Sequence, residues 1–308
     1  MTAAITADRG AAGRDAPDHG VAVERQPYES GWSAAALLTP VSVMVALGLI
    51  VPIAILFRYS LNQFSPQKFM IDAVSAENYV KFFTDPFYLG ILWRTVRVAA
   101  VCTLICVLLG LPLGYVLART RSRHKNLMIM AVILPLFVGN AVRAAGWMVL
   151  FGAKGFVNFV LIGIGIAHEP LQIMYTEFAV IVGVTSVNLP FMVLTLQSVI
   201  EGIDRAVEEA ALSLGADPLV TFRRVVLPLA KPGLLAGTIL CFILAMNAYA
   251  TPVLLGGPRF QMMGPTVYNQ FAGLNNWPFG AALSFVLMTA TLMLTVLANV
   301  VVLGRYRR

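Results

Sequence analysis

Six apolar runs, each longer than twenty residues, constrain this chain more than any other feature. A helical span needs about 20 mostly apolar residues to cross about 30 Å of hydrocarbon. The runs Ala34–Phe57, Ile91–Leu117, Leu127–Phe151, Phe178–Ile200, Pro232–Leu255 and Phe279–Leu303 all meet that length. Irregular backbone is not tolerated against lipid, so each run predicts a helix. The expected fold is an all-α polytopic membrane protein with six transmembrane helices. Composition agrees: 58% of the 308 residues are hydrophobic and 12% charged, against about 45–50% and about 25% in soluble chains. A soluble enzyme domain, a nucleic-acid-binding module and a disordered linker protein are excluded on that balance.

Pro52, Pro112, Pro135, Pro190 and Pro252 fall within the runs and predict kinks, since a proline removes one backbone donor. Ahead of the first run, residues 1–33 are polar and carry Gly10, Gly13, Pro17 and Gly20. They read as a disordered cytoplasmic tail before a membrane domain over 34–308. Cys102, Cys106 and Cys241 lie in apolar runs with no His or acid nearby, so packing is expected rather than a metal site, and no cofactor is expected.

Basic residues set the orientation. Arg9, Arg14 and Arg25, then Arg119, Arg121, Arg123 and Lys125, then Arg205, Arg223, Arg224 and Lys231, then Arg305, Arg307 and Arg308 all fall on one side. Only Arg58, Lys68, Lys81, Lys154 and Arg259 fall on the other, with Arg94, Arg97 and Arg143 inside spans. An excess of this size in short loops predicts both termini in the cytoplasm.

The segment from Glu201 to Lys231, on that basic side, is the most informative loop. Ile203, Val207, Ala210, Ala211 and Leu214 give Glu201–Leu214 a helical spacing, with Glu201, Asp204, Glu208 and Glu209 as an acidic opposite face. Gly215 is placed to stop the helix. Asp217 and Pro218 are placed as N-cap and first residue of a second helix, which Pro228 ends. An acidic face suits a basic protein partner better than anionic lipid.

Glu209-Ala210-Ala211, three residues, Gly215, nine residues, then Val225-Val226-Leu227-Pro228 resembles the EAA loop of bacterial ABC importer permeases. The departure is Val225, where that pattern has Ile. The resemblance runs from Ala34 to Leu303 and is strongest to the spermidine/putrescine-type permeases. Glu77-Asn78-Tyr79, Asp85-Pro86-Phe87-Tyr88 and Asn276-Trp277-Pro278-Phe279-Gly280 are similar to segments of that subfamily. It implies the type I importer permease (MetI-like) fold in the bacterial inner membrane. The implied partners are a second homologous permease subunit, two cytoplasmic ABC ATPase subunits and a periplasmic substrate-binding protein. Glu209 would pair with a basic group on an ATPase, Gly215 would shape the turn, and Ala210, Ala211, Leu227 and Pro228 complete the motif. No Gly-x4-Gly-Lys-Ser/Thr pattern occurs, so ATP hydrolysis is assigned to a separate subunit and the chain is not expected to be an enzyme.

Polar groups inside the spans are candidates for the substrate path, because buried charge in a membrane is costly. Arg94 and Arg97 suit snorkelling to the interface as well as a path role. Asn140 and Arg143 share a face one turn from Trp147; a path role and an interhelical hydrogen bond both fit. Asn188, Asn247 and Tyr249 lie mid-span, where lining a pore and bonding a neighbouring helix both fit. Gly110 and Gly114 read as a close helix contact. None of the 15 acids lies well inside a span. A polyamine would then be selected by the external binding protein, or the solute is another small polar molecule. The alternative class is an ion-coupled secondary transporter, but neither an intramembrane acid nor inverted repeats are evident. An intramembrane enzyme is disfavoured because His19, His124 and His168 lie outside the spans.

Overall fold

A computed structural model describes residues 31–304, with side chains from 38 to 300. The tail expected over 1–33 lies outside the described residues up to position 30, and its last three residues already belong to the first helix. In chain order the helices are α1 (Gly31–Ser60), α2 (Glu77–Thr84), α3 (Pro86–Arg119), α4 (Lys125–Ile133) and α5 (Asn140–Phe151). Then come α6 (Phe156–Gly163), α7 (Glu177–Glu201), α8 (Arg205–Ser213), α9 (Pro218–Thr221) and α10 (Leu227–Met246). The last three are α11 (Ala250–Gly256), α12 (Met263–Tyr268) and α13 (Trp277–Gly304).

The chain divides into two compact units, Met1–Ile53 and Ala54–Arg308. The described part of the first is helical and forms most of α1, whose stretch Leu38–Ser60 is long and apolar enough to cross a bilayer. In the second unit, the end of α1 is tied down by α2. Asn78 donates to the carbonyls of Ser60 and Asn62 at 2.9 and 2.8 Å, and Ser60 and Tyr79 hydroxyls meet at 2.8 Å.

Asp85 and Pro86 start α3 as the sequence implies: Phe87 N–H donates to the Asp85 carboxylate at 2.9 Å, and Pro86 takes the first turn where no donor is needed. The 34 residues of α3 span about 50 Å at 1.5 Å each, longer than the hydrocarbon core. This helix packs along α7 and α10. A Cβ on Gly110 would meet Met192 Cγ at 2.5 Å, and one on Gly114 would meet Leu196 Cβ at 2.9 Å and the Val193 carbonyl at 3.3 Å. The Gly-x3-Gly pair is therefore a close helix contact, as expected. All three cysteines are buried free thiols in this core.

Two of the six predicted spans are not continuous helices. Length and hydropathy alone mark Asn140–Gly163 as the third candidate span, but the chain folds back between α5 and α6. Buried Asn158 holds the Gly152 and Leu171 carbonyls at 3.1 and 3.0 Å, keeping α6 at the end where α5 finishes. The crossing is instead 125–151, antiparallel to α7. Lys125 Nζ pairs with Glu201 at 2.7 Å at one end, and the Phe151 and Phe178 rings lie 6.3 Å apart at the other. It runs α4, a 3₁₀ turn over Leu134–Phe137, extended Val138, then α5. Pro135 has no N–H to continue the α ladder, which accounts for the break. The fifth run likewise stops at Met246 and restarts at Ala250, interrupted at 247–249. Pro112 and Pro190, by contrast, sit inside unbroken helices.

Candidate functional site: a cavity between broken helices and an outward helix

Both interruptions face the same space. A cavity of about 500 Å³ lies between α5, α7 and the α10–α11 junction. Asn140, Arg143, Asn188, Asn247 and Tyr249 all line it, with Leu136, Phe191 and Thr251 among their neighbours. Residues chosen from three separate stretches of sequence therefore converge. Asn188 falls near the middle of the 25-residue α7, so the cavity lies about half-way along a crossing helix. Non-helical backbone is tolerated at such depth where it borders a polar cavity instead of lipid.

The lining groups differ in how far they are committed. Asn188 is buried and donates to the Cys241 carbonyl at 3.3 Å, joining α7 to α10. The Asn247 carboxamide donates to the Ile243 carbonyl at 2.9 Å, a second bond beside that from its own backbone N–H at 3.2 Å. Arg143 donates one amino group to the Val138 carbonyl at 2.9 Å in the broken stretch, while Nε and Nη1 are buried without a partner. Tyr249 lies 4.7 Å ring to ring from Tyr268. Trp147, one turn from Arg143, donates to Ser186 Oγ at 3.0 Å and fixes α5 against α7. Among the described residues, no Asp or Glu lines the cavity. Arg94 and Arg97 are elsewhere. Arg97 pairs with Glu177, and Arg94 reaches the Gln261 carbonyl at 3.4 Å and lies over the Phe260 ring. Arg97 ties α3 to the start of α7, and Arg94 ties it to the loop before α12.

At the end of the bundle where α7 terminates, the chain leaves through Gly202 into α8. Asp204 caps this helix, accepting from Ala206 N–H at 2.9 Å, so it begins at Arg205 and not at Glu201. Glu201 belongs to α7 and pairs with Lys125 and Gln197. Gly215 ends the turn with φ +87°, a conformation glycine adopts without steric cost. Asp217 accepts from Val220 N–H at 2.6 Å and Pro218 opens α9, as expected. Pro228 does not end the second helix. A π turn over Phe222–Val226 leads straight into α10, with Pro228 in the turn where the π and α segments join. Leu227 and Pro228 thus begin the fifth span.

The predicted faces of α8 are also reassigned. Glu209 is exposed together with Ala210, Val207 and Leu214, the last at 89%. Glu208 is buried, paired with Arg119 and accepting from Tyr115 Oη at 3.1 Å. The outward face is therefore one acid set among apolar side chains, extended by Leu219 on α9 at 73% exposed. Adjacent glutamates on a helix point about 100° apart, so Glu208 and Glu209 cannot share an environment. Arg119 and Tyr115 were not singled out from sequence. Arg119 looked like one more basic residue of a cytoplasmic loop.

A family model for the binding-protein-dependent transport system inner membrane component matches residues 106–307. The spermidine/putrescine transport system permease protein PotB of Haemophilus influenzae is 36% identical over 234 residues, covering 76% of this chain and 79% of that protein. Among solved structures, a chain of a bacterial alginate ABC transporter, in complex with alginate pentasaccharide-bound periplasmic protein, superposes with a TM-score of 0.72. It does so at 17% identity over 87% of this chain and 93% of the other. A chain of the MetNI methionine ABC transporter superposes at 0.56 with 20% identity, over 70% and 94%. The fold is thus the MetI-like permease fold. With the six spans and matched length, the chain belongs to the binding-protein-dependent inner membrane components, as a multi-pass ABC importer permease of the spermidine/putrescine subfamily.

Proposed function

We propose that this chain forms half of the translocation pathway of an ATP-driven importer, with its solute passing through the cavity between α5, α7 and the α10–α11 junction. The observation that carries this is the convergence of two helix interruptions and five polar side chains on one space in an otherwise apolar bundle. Discontinuous helices at mid-membrane supply backbone and side-chain polar groups without exposing them to lipid. A second permease subunit completes the path, a periplasmic binding protein delivers the solute, and both termini face the cytoplasm. The substrate class is spermidine, putrescine or a related small polar solute. PotB relatives favour the polyamines, and with no carboxylate in the cavity, selection of the cation is assigned to the binding protein. Tyr249 and the carboxamides then offer weak, non-retaining contacts.

Two cytoplasmic ATPase subunits drive the cycle, one of them docking on the exposed face of α8, α9 and Gly215. Glu209 supplies the charge, and Val207, Leu214 and Leu219 supply apolar surface. Glu209→Lys reverses an exposed charge outside the spans. Uptake should collapse while the chain still reaches the membrane, and the ATPase should no longer co-purify. Normal uptake with the ATPase still attached would refute the docking assignment.

A further inference from the structure

Glu208, the acid of α8 that faces the bundle, meets the last turns of a single helix. Its carboxylate pairs with Arg119 and accepts from Tyr115 Oη at 3.1 Å, and the paired side chains are only 12–13% exposed. Arg119 also donates to the Ile203 carbonyl at 3.1 Å, and Arg205 donates back to the Arg119 carbonyl at 3.0 Å. The Tyr115 ring stands edge-on to Phe222 at 5.0 Å, in the π turn that leads into α10. These links run in both directions between the start of α8 and the end of α3. A buried ion pair of this kind contributes little net stability over an apolar replacement. What it supplies is direction, because hydrogen bonds to fixed acceptors cannot survive much sliding of α8 against α3.

The partner in this clamp is the longest described helix. From Arg119 it runs about 36 Å to Thr95 at 1.5 Å per residue. There Met263 N–H donates to Thr95 Oγ1 at 2.9 Å, and Arg94 reaches the Gln261 carbonyl. A displacement of α8 therefore has a continuous, hydrogen-bonded route to the α12 end of the bundle, and packed interfaces of this sort shift as units.

We infer that Arg119 and Glu208 are positioning residues that latch α8 to α3, so that movement imposed on α8 is delivered along α3 to α12. This rests on α8 being the ATPase-docking helix. Neither residue lines the cavity. The test uses the complete reconstituted transporter, measuring ATPase co-purification, ATP hydrolysis and uptake per ATP hydrolysed. Arg119→Met should retain the ATPase and continued hydrolysis, while uptake per ATP falls about tenfold, within the ordinary range of coupling between sites. The exchange Arg119→Glu with Glu208→Arg should recover much of that loss. Tyr115→Phe removes one hydrogen bond but keeps the ring on Phe222, and should lower the ratio about threefold at unchanged abundance. An unchanged ratio in Arg119→Met and Tyr115→Phe, or a charge exchange of normal abundance that recovers nothing, would overturn the latch. Loss of the ATPase from Arg119→Met would also overturn it, by moving the pair into the docking surface. Glu209→Lys is the separate control: if it leaves docking and uptake intact, the docking reading has failed, whatever the latch variants do.

Discussion

Arg143 shows how far a single residue can be pressed. Two of its nitrogens are buried without a partner beside a polar cavity. A residue kept only for packing would place its donors on carbonyls, because an unsatisfied donor costs about 1–3 kcal/mol. Arg143→Gln should therefore reduce uptake while leaving membrane abundance and thermal stability nearly unchanged, since its one bond, to Val138, is replaceable. Asn140→Ala is the comparison on the same face. Parallel loss of abundance and uptake in both variants would make this face structural. Gly215 offers a second test. At φ +87° an alanine costs about 1–2 kcal/mol, and the strain falls on the turn between α8 and α9. Gly215→Ala should weaken ATPase co-purification more than it lowers the melting temperature of the spans.

At the scale of elements, the sequence was most readable where periodicity and caps agreed. Asp85-Pro86 and Asp217-Pro218 start helices as their chemistry requires, and Gly110 and Gly114 mark the α3–α7 contact. Gly114→Val would force a branched side chain into Leu196 and the Val193 carbonyl. It should destabilise the bundle by about 1–3 kcal/mol, read as a lower melting temperature in detergent. Legibility failed where tertiary context overrode local pattern. The run through Pro135 is as apolar as its neighbours, and isolated polar residues such as Asn247 and Tyr249 also occur inside unbroken spans, so hydropathy alone does not mark either break. Pro52, Pro112 and Pro190, by contrast, lie inside helices that stay continuous. The inward turn of Glu208 was hidden for a related reason. It depends on Arg119, which lies 89 residues earlier in the chain, and a helical wheel of Glu201–Leu214 alone sees only four acids. The five cavity residues were legible one at a time, as polar groups in apolar runs. That they share one space was not.

For the whole molecule, the orientation expected from the basic residues is open to chemical labelling. Single cysteines replacing Lys68 and Arg259 in a cysteine-free chain should react with impermeant maleimide from outside intact spheroplasts. Cysteines at Arg123 and Arg224 should react only after permeabilisation, and outside labelling at Arg224 would invert the arrangement and remove α8 from any ATPase. The family and the six spans make the chain a permease; the function proposed above adds a separate ATPase, acting through α8, as the source of energy. Uptake into proteoliposomes holding the complete transporter tests that claim most directly. With binding protein and labelled spermidine or putrescine outside and ATP trapped within, the account predicts accumulation that requires ATP and persists when proton and sodium gradients are collapsed. Accumulation driven by an ion gradient in the absence of ATP would contradict it.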